Sequence, residues 1–208
     1  DGSEHGVRMR YATEESPLGT AGSVRNASAE LDDTFLVISG DVLTDIDLTA
    51  ALKAHRASGA DATIALKRVE NPLEFGIVIT REDGTIERFL EKPGWGQVFS
   101  DAINTGIYGL EPRVFDFIPD AEVVDFSGDV FPKMLEQGLS IHGHVMDAYW
   151  EDVGTLEAYL RAHADVLDGA VKVDIDGFRI SDNVWLGEGS DIDPRARVDG
   201  PVVIGDNC

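Results

Sequence analysis

Ile180, Leu186, Ile192, Val198 and Ile204 recur at every sixth position without exception, and that period constrains the fold more than any other feature of the chain. Neither the ~3.6-residue turn of a helix nor the alternation of a strand repeats in this way. Four residues after each aliphatic position stand Val184, Ser190, Ala196, Val202 and Cys208, all small or β-branched. Such a repeat is the signature of a hexapeptide β-helix, in which each hexad forms one side of a triangular coil and turns its aliphatic residue inward. The chain stops inside this repeat and opens on Asp1, so it is expected to be a piece of a longer protein whose coil continues.

Before Gly169 the pattern is different. Leu48–Ala57 reads as a helix with Asp47 as N-cap and Gly59 as its stop, and Thr155–Leu167 as another, capped by Thr155. Ala62–Val69, Gly76–Thr80, Thr85–Leu90, Ile103–Leu110 and Ser140–Met146 read as strands, with Asp83-Gly84 as a hairpin turn. Short helices are expected near Pro112–Ile118 and Val130–Gln137. Strands alternating with helices predict an α/β layer fold. The run Phe35-Leu36-Val37-Ile38 suits a strand buried on both faces, as in a parallel sheet. It ends at Gly40 and Asp41, beyond the carboxyl end of a strand, where open α/β sheets bind ligands. Gly40 allows a close approach, and Asp41 offers an acceptor-only carboxylate suited to a hard cation.

Charge narrows the partners. With 17 basic against 39 acidic residues the net charge is −22, which argues against nucleic acid or an anionic membrane surface. A phosphate ligand would need a metal, a few placed cations or backbone N–H groups to overcome that field. Cys208 is the one cysteine, so no internal disulfide can form, which fits a reducing cytoplasm. No apolar run approaches the ~20 residues of a membrane span, and no signal peptide is visible.

Three further clusters carry chemistry. In Glu91-Lys92-Pro93, strand alternation separates the two charged side chains unless Pro93 breaks the strand there; Lys92 is then a phosphate contact and Glu91 an acceptor for sugar hydroxyls. The same pair could equally be a solvated ion pair at a strand end. Asn104-Thr105-Gly106 interrupts an apolar strand, either as a ligand site or as a satisfied polar bulge. Asp152, in Trp150-Glu151-Asp152-Val153-Gly154, either faces a metal or favours the N-terminus of the helix that follows.

Together with Glu15–Gly22 (Glu-Ser-Pro-Leu-Gly-Thr-Ala-Gly), Gly40-Asp41-Val42-Leu43 and Phe75-Gly76, these clusters resemble the sugar-1-phosphate nucleotidyltransferases, in that family's order and over nearly all of residues 10–168. The Pro17–Gly22 wording and the hexad tail look most like the mannose-1-phosphate guanylyltransferases; thymidylyl and uridylyl relatives share much of the rest. The resemblance implies a Rossmann-like, GT-A-like mixed α/β sheet over residues 1–168 and the start of a left-handed β-helix over 169–208. It implies that Asp41 and Asp152 hold Mg²⁺ and that Lys92 meets the sugar phosphate. Gly40, Gly76, Glu91, Asn104, Thr105 and Gly106 would line the substrate site, and Glu14, Pro17 and Gly19 would sit by the nucleobase. The implied reaction is attack by a sugar-1-phosphate oxygen on the α-phosphorus of a nucleoside triphosphate, releasing pyrophosphate, in a cytoplasmic homo-oligomer.

The family's glycine-rich loop with an arginine, which cradles the triphosphate, has no counterpart in these 208 residues; Gly94-Trp95-Gly96 lacks the arginine and follows the wrong strand. These residues alone are therefore expected to turn over little, and Phe35–Ser39 to present an apolar edge. Two other functions remain open. One is a non-catalytic regulatory subunit of the same fold, against which Asp41, Lys92 and Asp152 argue. The other is a hexapeptide acyltransferase, which would want a histidine base, whereas His5, His55, His142, His144 and His163 all lie outside the hexads.

Overall fold

A computed structural model describes residues 2–72, 75–91 (without the side chain at 91) and 100–208. In chain order its regular elements are α1 (Gly19–Asn26), β1 (Phe35–Ile38), β2 (Val42–Thr44), α2 (Leu48–Ser58), β3 (Ala62–Arg68), β4 (Gly76–Thr80), β5 (Ile86–Glu91) and β6 (Ala102–Leu110). They continue through α3 (Phe131–Glu136), β7 (Ile141–Val145), β8 (Trp150–Asp152), α4 (Leu156–Leu167), β9 (Phe178–Ser181), β10 (Val184–Leu186) and β11 (Val202–Ile204). The chain divides into two compact units, one of residues 1–39 and 47–147, the other of residues 40–46 and 148–208.

The first unit is built on a six-stranded mixed sheet in the order β5-β4-β6-β3-β7, with β1 also paired to β6. β3 and β7 run parallel, while β6 is antiparallel to β1, β3 and β4. The direction of β1 corrects the sequence expectation. Phe35–Ile38 lies antiparallel to β6, from Phe35 opposite Leu110 to Ile38 opposite Ile107, and Ile38 is 42% exposed. An apolar run reports burial, not direction, and of these four residues only Phe35 is buried.

α2 begins where the sequence places it: Asp47 accepts the Ala50 N–H at 2.9 Å, and Gly59 takes φ 63° at the far end. The expected helix at Pro112–Ile118 is a tight 3-10 segment, Pro112–Phe117. The one at Val130–Gln137 is α3 preceded by a π-helical turn, Phe126–Val130. That turn is pinned by its rings. Phe126 stacks on Phe131 at 5.4 Å, and Tyr108 meets both at 5.2 and 5.1 Å. With Ile64, Leu66, Leu110, Met134 and Ile141 these rings form the core, each buried large side chain contributing about 2–3 kcal/mol.

In the second unit β2 and β8 form an antiparallel ribbon, with Val42 opposite Asp152 and Thr44 opposite Trp150. α4 follows β8, its N-terminus capped by the Thr155 side chain, which accepts the Ala158 N–H at 3.1 Å. In the hexad segment β10 and β11 run parallel, with Val184 opposite Val202 and Leu186 opposite Ile204, an offset of eighteen residues or three hexads. The first hexad departs from the repeat. Ile180 lies on β9, which turns back at Asp182-Asn183 and runs antiparallel to β10, helped by Asn183 at φ 54°.

Candidate active site

Asp41 and Asp152 belong to the same unit and to the same end of the β2–β8 ribbon. Asp152 pairs with Val42, and the Val153 N–H donates to the Asp41 carbonyl at 2.9 Å. Asp41 sits in the turn ahead of β2, so strand alternation no longer separates its carboxylate from that of Asp152. The Asp152 carboxyl is held above its ordinary range, first by partial burial, then by the charges of Asp41 and Glu151. Glu151 is itself paired with Arg161 on α4, and among the described residues no ion pair engages Asp41 or Asp152. Mg²⁺ is usually bound by one or two carboxylates plus substrate phosphates, so this pair fits that ion. Among the described residues no cluster of three or more His, Cys, Asp or Glu side chains forms a metal cage.

The ribbon has only three residues per strand, and its far end is fastened by Asp45. That carboxylate accepts the Tyr149 N–H at 2.8 Å on one oxygen and the Lys172 N–H at 3.1 Å on the other. Thr44 Oγ1 adds a 2.6 Å bond to the Tyr149 carbonyl. These hydrogen bonds hold Asp45 below the ordinary carboxylate range, that from Lys172 foremost.

A different set of residues meets in the first unit. Gly76 and Ile77 on β4, Leu90 on β5, Asn104 on β6 and Ser127 and Gly128 on the π-helical turn line a cavity of about 180 Å³. That is below the ~300–1,000 Å³ of drug-sized pockets and suits one small ring. Asn104 is fixed: its amide donates to Tyr108 Oη at 3.0 Å and Ser127 Oγ at 2.8 Å, and its carbonyl oxygen accepts the Gly106 N–H at 3.0 Å.

Thr105 points the other way, its hydroxyl donating to the Ala65 carbonyl inside the sheet at 2.8 Å. Gly106, at φ 74°, makes room for Ser39, whose Oγ would lie 2.6 Å from an added Cβ. An added Cβ at Gly40 would meet nothing within 4 Å. Glu91 pairs with Gly76 through its backbone; its side chain and Lys92 lie outside the described residues.

Glu14, Pro17 and Gly19 enter α1. Glu14 accepts the Leu18 N–H at 3.1 Å, and Gly19, at φ 73°, lies so close to the Val124 carbonyl that a Cβ would come within 2.6 Å of its oxygen. Ala21 N–H donates to that same carbonyl at 3.0 Å, and Thr20 Oγ1 donates to Asp125 at 2.7 Å. The loop expected at the nucleobase is thus fastened to the segment that leads into the π-helical turn.

A larger cavity, about 630 Å³, lies in the second unit beside α4 and β11. Leu43, Val153, Tyr159, Val166 and Val203 help line it, and no carboxylate does. Sequence reasoning missed Ser127, Gly128 and Asp45. The signal for the first two was the spacing Asp125–Gly128, an Asx cap: Asp125 accepts the Gly128 N–H at 2.8 Å. Nothing local to Asp45 announces partners more than a hundred residues away.

The nucleotidyl transferase family pattern matches residues 1–169 of this chain. The UTP–glucose-1-phosphate uridylyltransferase of Synechocystis sp. is 38% identical over 221 residues, covering 99% of this chain and 57% of that protein. The mannose-1-phosphate guanylyltransferase of Mycobacterium tuberculosis is 38% identical over 222 residues, covering 98% and 61%. The chain therefore spans between 57% and 61% of the length of these two relatives. Among solved structures, HddC from Yersinia pseudotuberculosis complexed with GMP-PN superimposes with a TM-score of 0.60 at 26% identity, over 72% of this chain and 63% of that one. A Bacillus anthracis structure, described as a glucose-1-phosphate thymidylyltransferase in complex with a sucrose, reaches 0.70 at 24% identity, over 84% and 70%; it speaks to the fold alone.

Proposed function

The chain belongs to the nucleotidyl transferase family, and from that premise we propose that it forms part of an enzyme joining a nucleoside triphosphate to a sugar-1-phosphate with release of pyrophosphate. Guanylyl transfer to mannose-1-phosphate is the first reading, and uridylyl or thymidylyl transfer to glucose-1-phosphate the alternative. Both kinds of name occur among relatives of equal identity. The observation that carries the proposal is the pair Asp41 and Asp152 on one ribbon end, with the neighbouring Glu151 paired to Arg161.

In this reading Asp41 and Asp152 hold Mg²⁺, which when bound offsets the negative charge of the phosphates. The chain's own work is positioning. The small cavity takes the sugar, with Asn104 held rigid by three hydrogen bonds. The backbone at Gly76 and the carboxylate of Glu91 bind hydroxyls, and Lys92 meets the sugar phosphate. Gly40 and Gly106 are read as substrate-binding positions, Thr105 supports the strand that carries Asn104, and Glu14, Pro17 and Gly19 form the nucleobase loop.

We also propose that residues 169–208 begin a left-handed β-helix, which the eighteen-residue offset of β10 and β11 supports as one turn of three hexads. Its expected service is contact between copies in a cytoplasmic homo-oligomer. Among the described residues no helix is long and apolar enough to cross a membrane.

The test uses the full-length natural chain that contains these residues. Pyrophosphate release is measured with GTP, UTP or dTTP, each with mannose-1-phosphate or glucose-1-phosphate, with and without Mg²⁺. Release that needs Mg²⁺ and falls at least ~100-fold in Asp41→Ala supports the proposal. A rate unchanged in Asp41→Ala, or no release from any pairing, favours a regulatory subunit.

A further inference from the structure

Tyr149 and Glu151 stand two residues apart where β8 begins, and Arg161 and Asp165 stand four apart on α4. Two strand residues advance about 6.6 Å and four helical residues about 6 Å, so the two pairs match in spacing. The structure joins them. Tyr149 Oη donates to Asp165 Oδ2 at 2.6 Å, and the Arg161 guanidinium donates to Glu151 Oε1. Tyr149 thus meets the later helical residue and Glu151 the earlier one, so α4 runs back along β8. Ala158 and Ala162 are buried on the same helical face, and their small side chains permit that close approach.

Both contacts are built to hold a direction. Burial first, and then Asp165, keeps the Tyr149 phenol above its ordinary range. It therefore stays an O–H that donates to the carboxylate in a short, charge-assisted bond. The Glu151 side chain is 18% exposed against 50% for Arg161, and the other terminal nitrogen of Arg161 lies 3.9 Å from Glu157. An ion pair half in water adds little stability. What this one fixes is the face of a strand. Side chains alternate along β8, so holding Tyr149 and Glu151 toward α4 turns Trp150 and Asp152 to the opposite face. β8 has only three residues, and its one strand partner, β2, is equally short.

We propose that Arg161 and Asp165 are positioning residues for the metal site: by clasping Glu151 and Tyr149 they fix the face of β8 on which Asp152 stands, and so its place beside Asp41. The identity of the ion rests on the nucleotidyl-transfer reading; the geometry of the clasp does not. Neither residue touches ion or substrate. α4 becomes part of the site while contributing no ligand to it.

The test uses the full-length chain and compares the wild type with Arg161→Met, Arg161→Lys and Tyr149→Phe. Mg²⁺ is titrated by calorimetry, pyrophosphate release gives KM for Mg²⁺ and for sugar phosphate, and hydrogen exchange of the metal-free proteins is followed over residues 150–154. That segment includes the Val153 N–H bonded to the Asp41 carbonyl. Arg161→Met is expected to weaken Mg²⁺ binding about tenfold, the lower range for residues that orient metal ligands. It should also speed exchange over residues 150–154 while β3 stays protected, and leave the sugar-phosphate KM at saturating Mg²⁺ unchanged. Arg161→Lys, which keeps the charge, should lose less. Tyr149→Phe should act in the same direction as Arg161→Met, and because it changes no charge, its loss of Mg²⁺ affinity reports position and not field. Unchanged Mg²⁺ affinity in Tyr149→Phe overturns the proposal, since the charge of Arg161 would then be enough. Equal loosening of β3 overturns it too, because the residues would then serve the whole fold. Mg²⁺ held through the clasp with no pyrophosphate released from any pairing sinks the function and leaves the clasp standing. Mg²⁺-dependent release by every variant at wild-type Mg²⁺ affinity does the reverse. A wild type that neither binds nor needs Mg²⁺ sinks both.

Discussion

Asp45 Oδ1 accepts the Tyr149 backbone N–H at 2.8 Å, closing the ribbon at the end opposite to Asp41 and Asp152. With three residues per strand, the ribbon has few ladder bonds to define its register, and a slip of one residue would turn Asp152 to the other face. In Asp45→Asn one of the two backbone donors, Tyr149 or Lys172, faces an amide N–H₂ instead of a carboxylate oxygen. The expected cost is about 1 kcal/mol, discounted for partial exposure. Mg²⁺ affinity should fall several-fold while sugar-phosphate binding holds. Mg²⁺ and sugar-phosphate titrations by calorimetry check this; equal loss of both would point to general unfolding.

The same carboxylate sets an acid limb. Asp45 is held below its ordinary value of 3.8 by its hydrogen bonds. Its contribution to stability is complete above that value and is lost as pH falls through the lowered one. Asp45→Asn should therefore be less stable than the wild type at neutral pH, with the gap closing in strong acid. Urea midpoints over an acid series measure it, and a gap independent of pH would remove the charge from the explanation.

Asp152 has the opposite sign. Its pKa is raised, so ionising it costs stability. The cost is absent in acid, where the group is protonated folded or unfolded. It sets in as pH rises from 3.8 through the raised value and is fully present above it. Without divalent ions at neutral pH, Asp152→Asn should melt slightly above the wild type, a small gain because the group is partly solvated. Mg²⁺ should reverse the order by stabilising the wild type alone. A wild type that melts at the same temperature with and without Mg²⁺ would refute the pairing of this ion with Asp41 and Asp152.

Local chemistry is what the sequence made legible. The caps Asp47 and Thr155, the Asp83-Gly84 turn and the strands from Ala62 to Val145 follow from side-chain alternation and capping, and the structure has them. The two acids were also visible, Asp41 at the end of a strand and Asp152 just ahead of a helix. What brings them together was not, because the β2–β8 pairing joins segments more than a hundred residues apart and no local pattern encodes it. The direction of β1 was hidden for the same reason. Ser127 escaped because its neighbours Phe126, Val130 and Phe131 look like an ordinary apolar helix face, and the π-helical turn that redirects it depends on packing against Tyr108.

Gly19 offers a test of the nucleobase loop. At φ 73°, with the Val124 carbonyl oxygen 2.6 Å from where a Cβ would stand, Gly19→Ala meets rigid backbone and a left-handed conformation together. The expected destabilisation is about 2 kcal/mol. Because Leu18, Thr20 and Ala21 all bond to residues 124 and 125, the strain should pass into the turn that carries Ser127. Sugar-phosphate binding is then expected to weaken several-fold in Gly19→Ala, although Gly19 is not among the residues lining the cavity. Binding unchanged in a folded variant would separate the two sites.

His55 is 1% exposed and stitches α2 to the sheet. Its Nδ1 lies 2.9 Å from Thr63 Oγ1 and its Nε2 3.1 Å from Glu111 Oε1, which also accepts the Thr34 hydroxyl at 2.8 Å. The ring fits because Gly109 lies beneath it, where a Cβ would come 3.1 Å from the imidazole. His55→Leu keeps the bulk but leaves the buried Thr63 hydroxyl without its partner and frees one side of Glu111. The loss should be about 1–3 kcal/mol, read as a lower urea midpoint with an unchanged slope. His55→Gln, which can still donate or accept toward one of the two partners, should recover part of it. If His55→Leu proves as stable as the wild type, packing against Gly109 holds α2 and the hydrogen bonds contribute nothing.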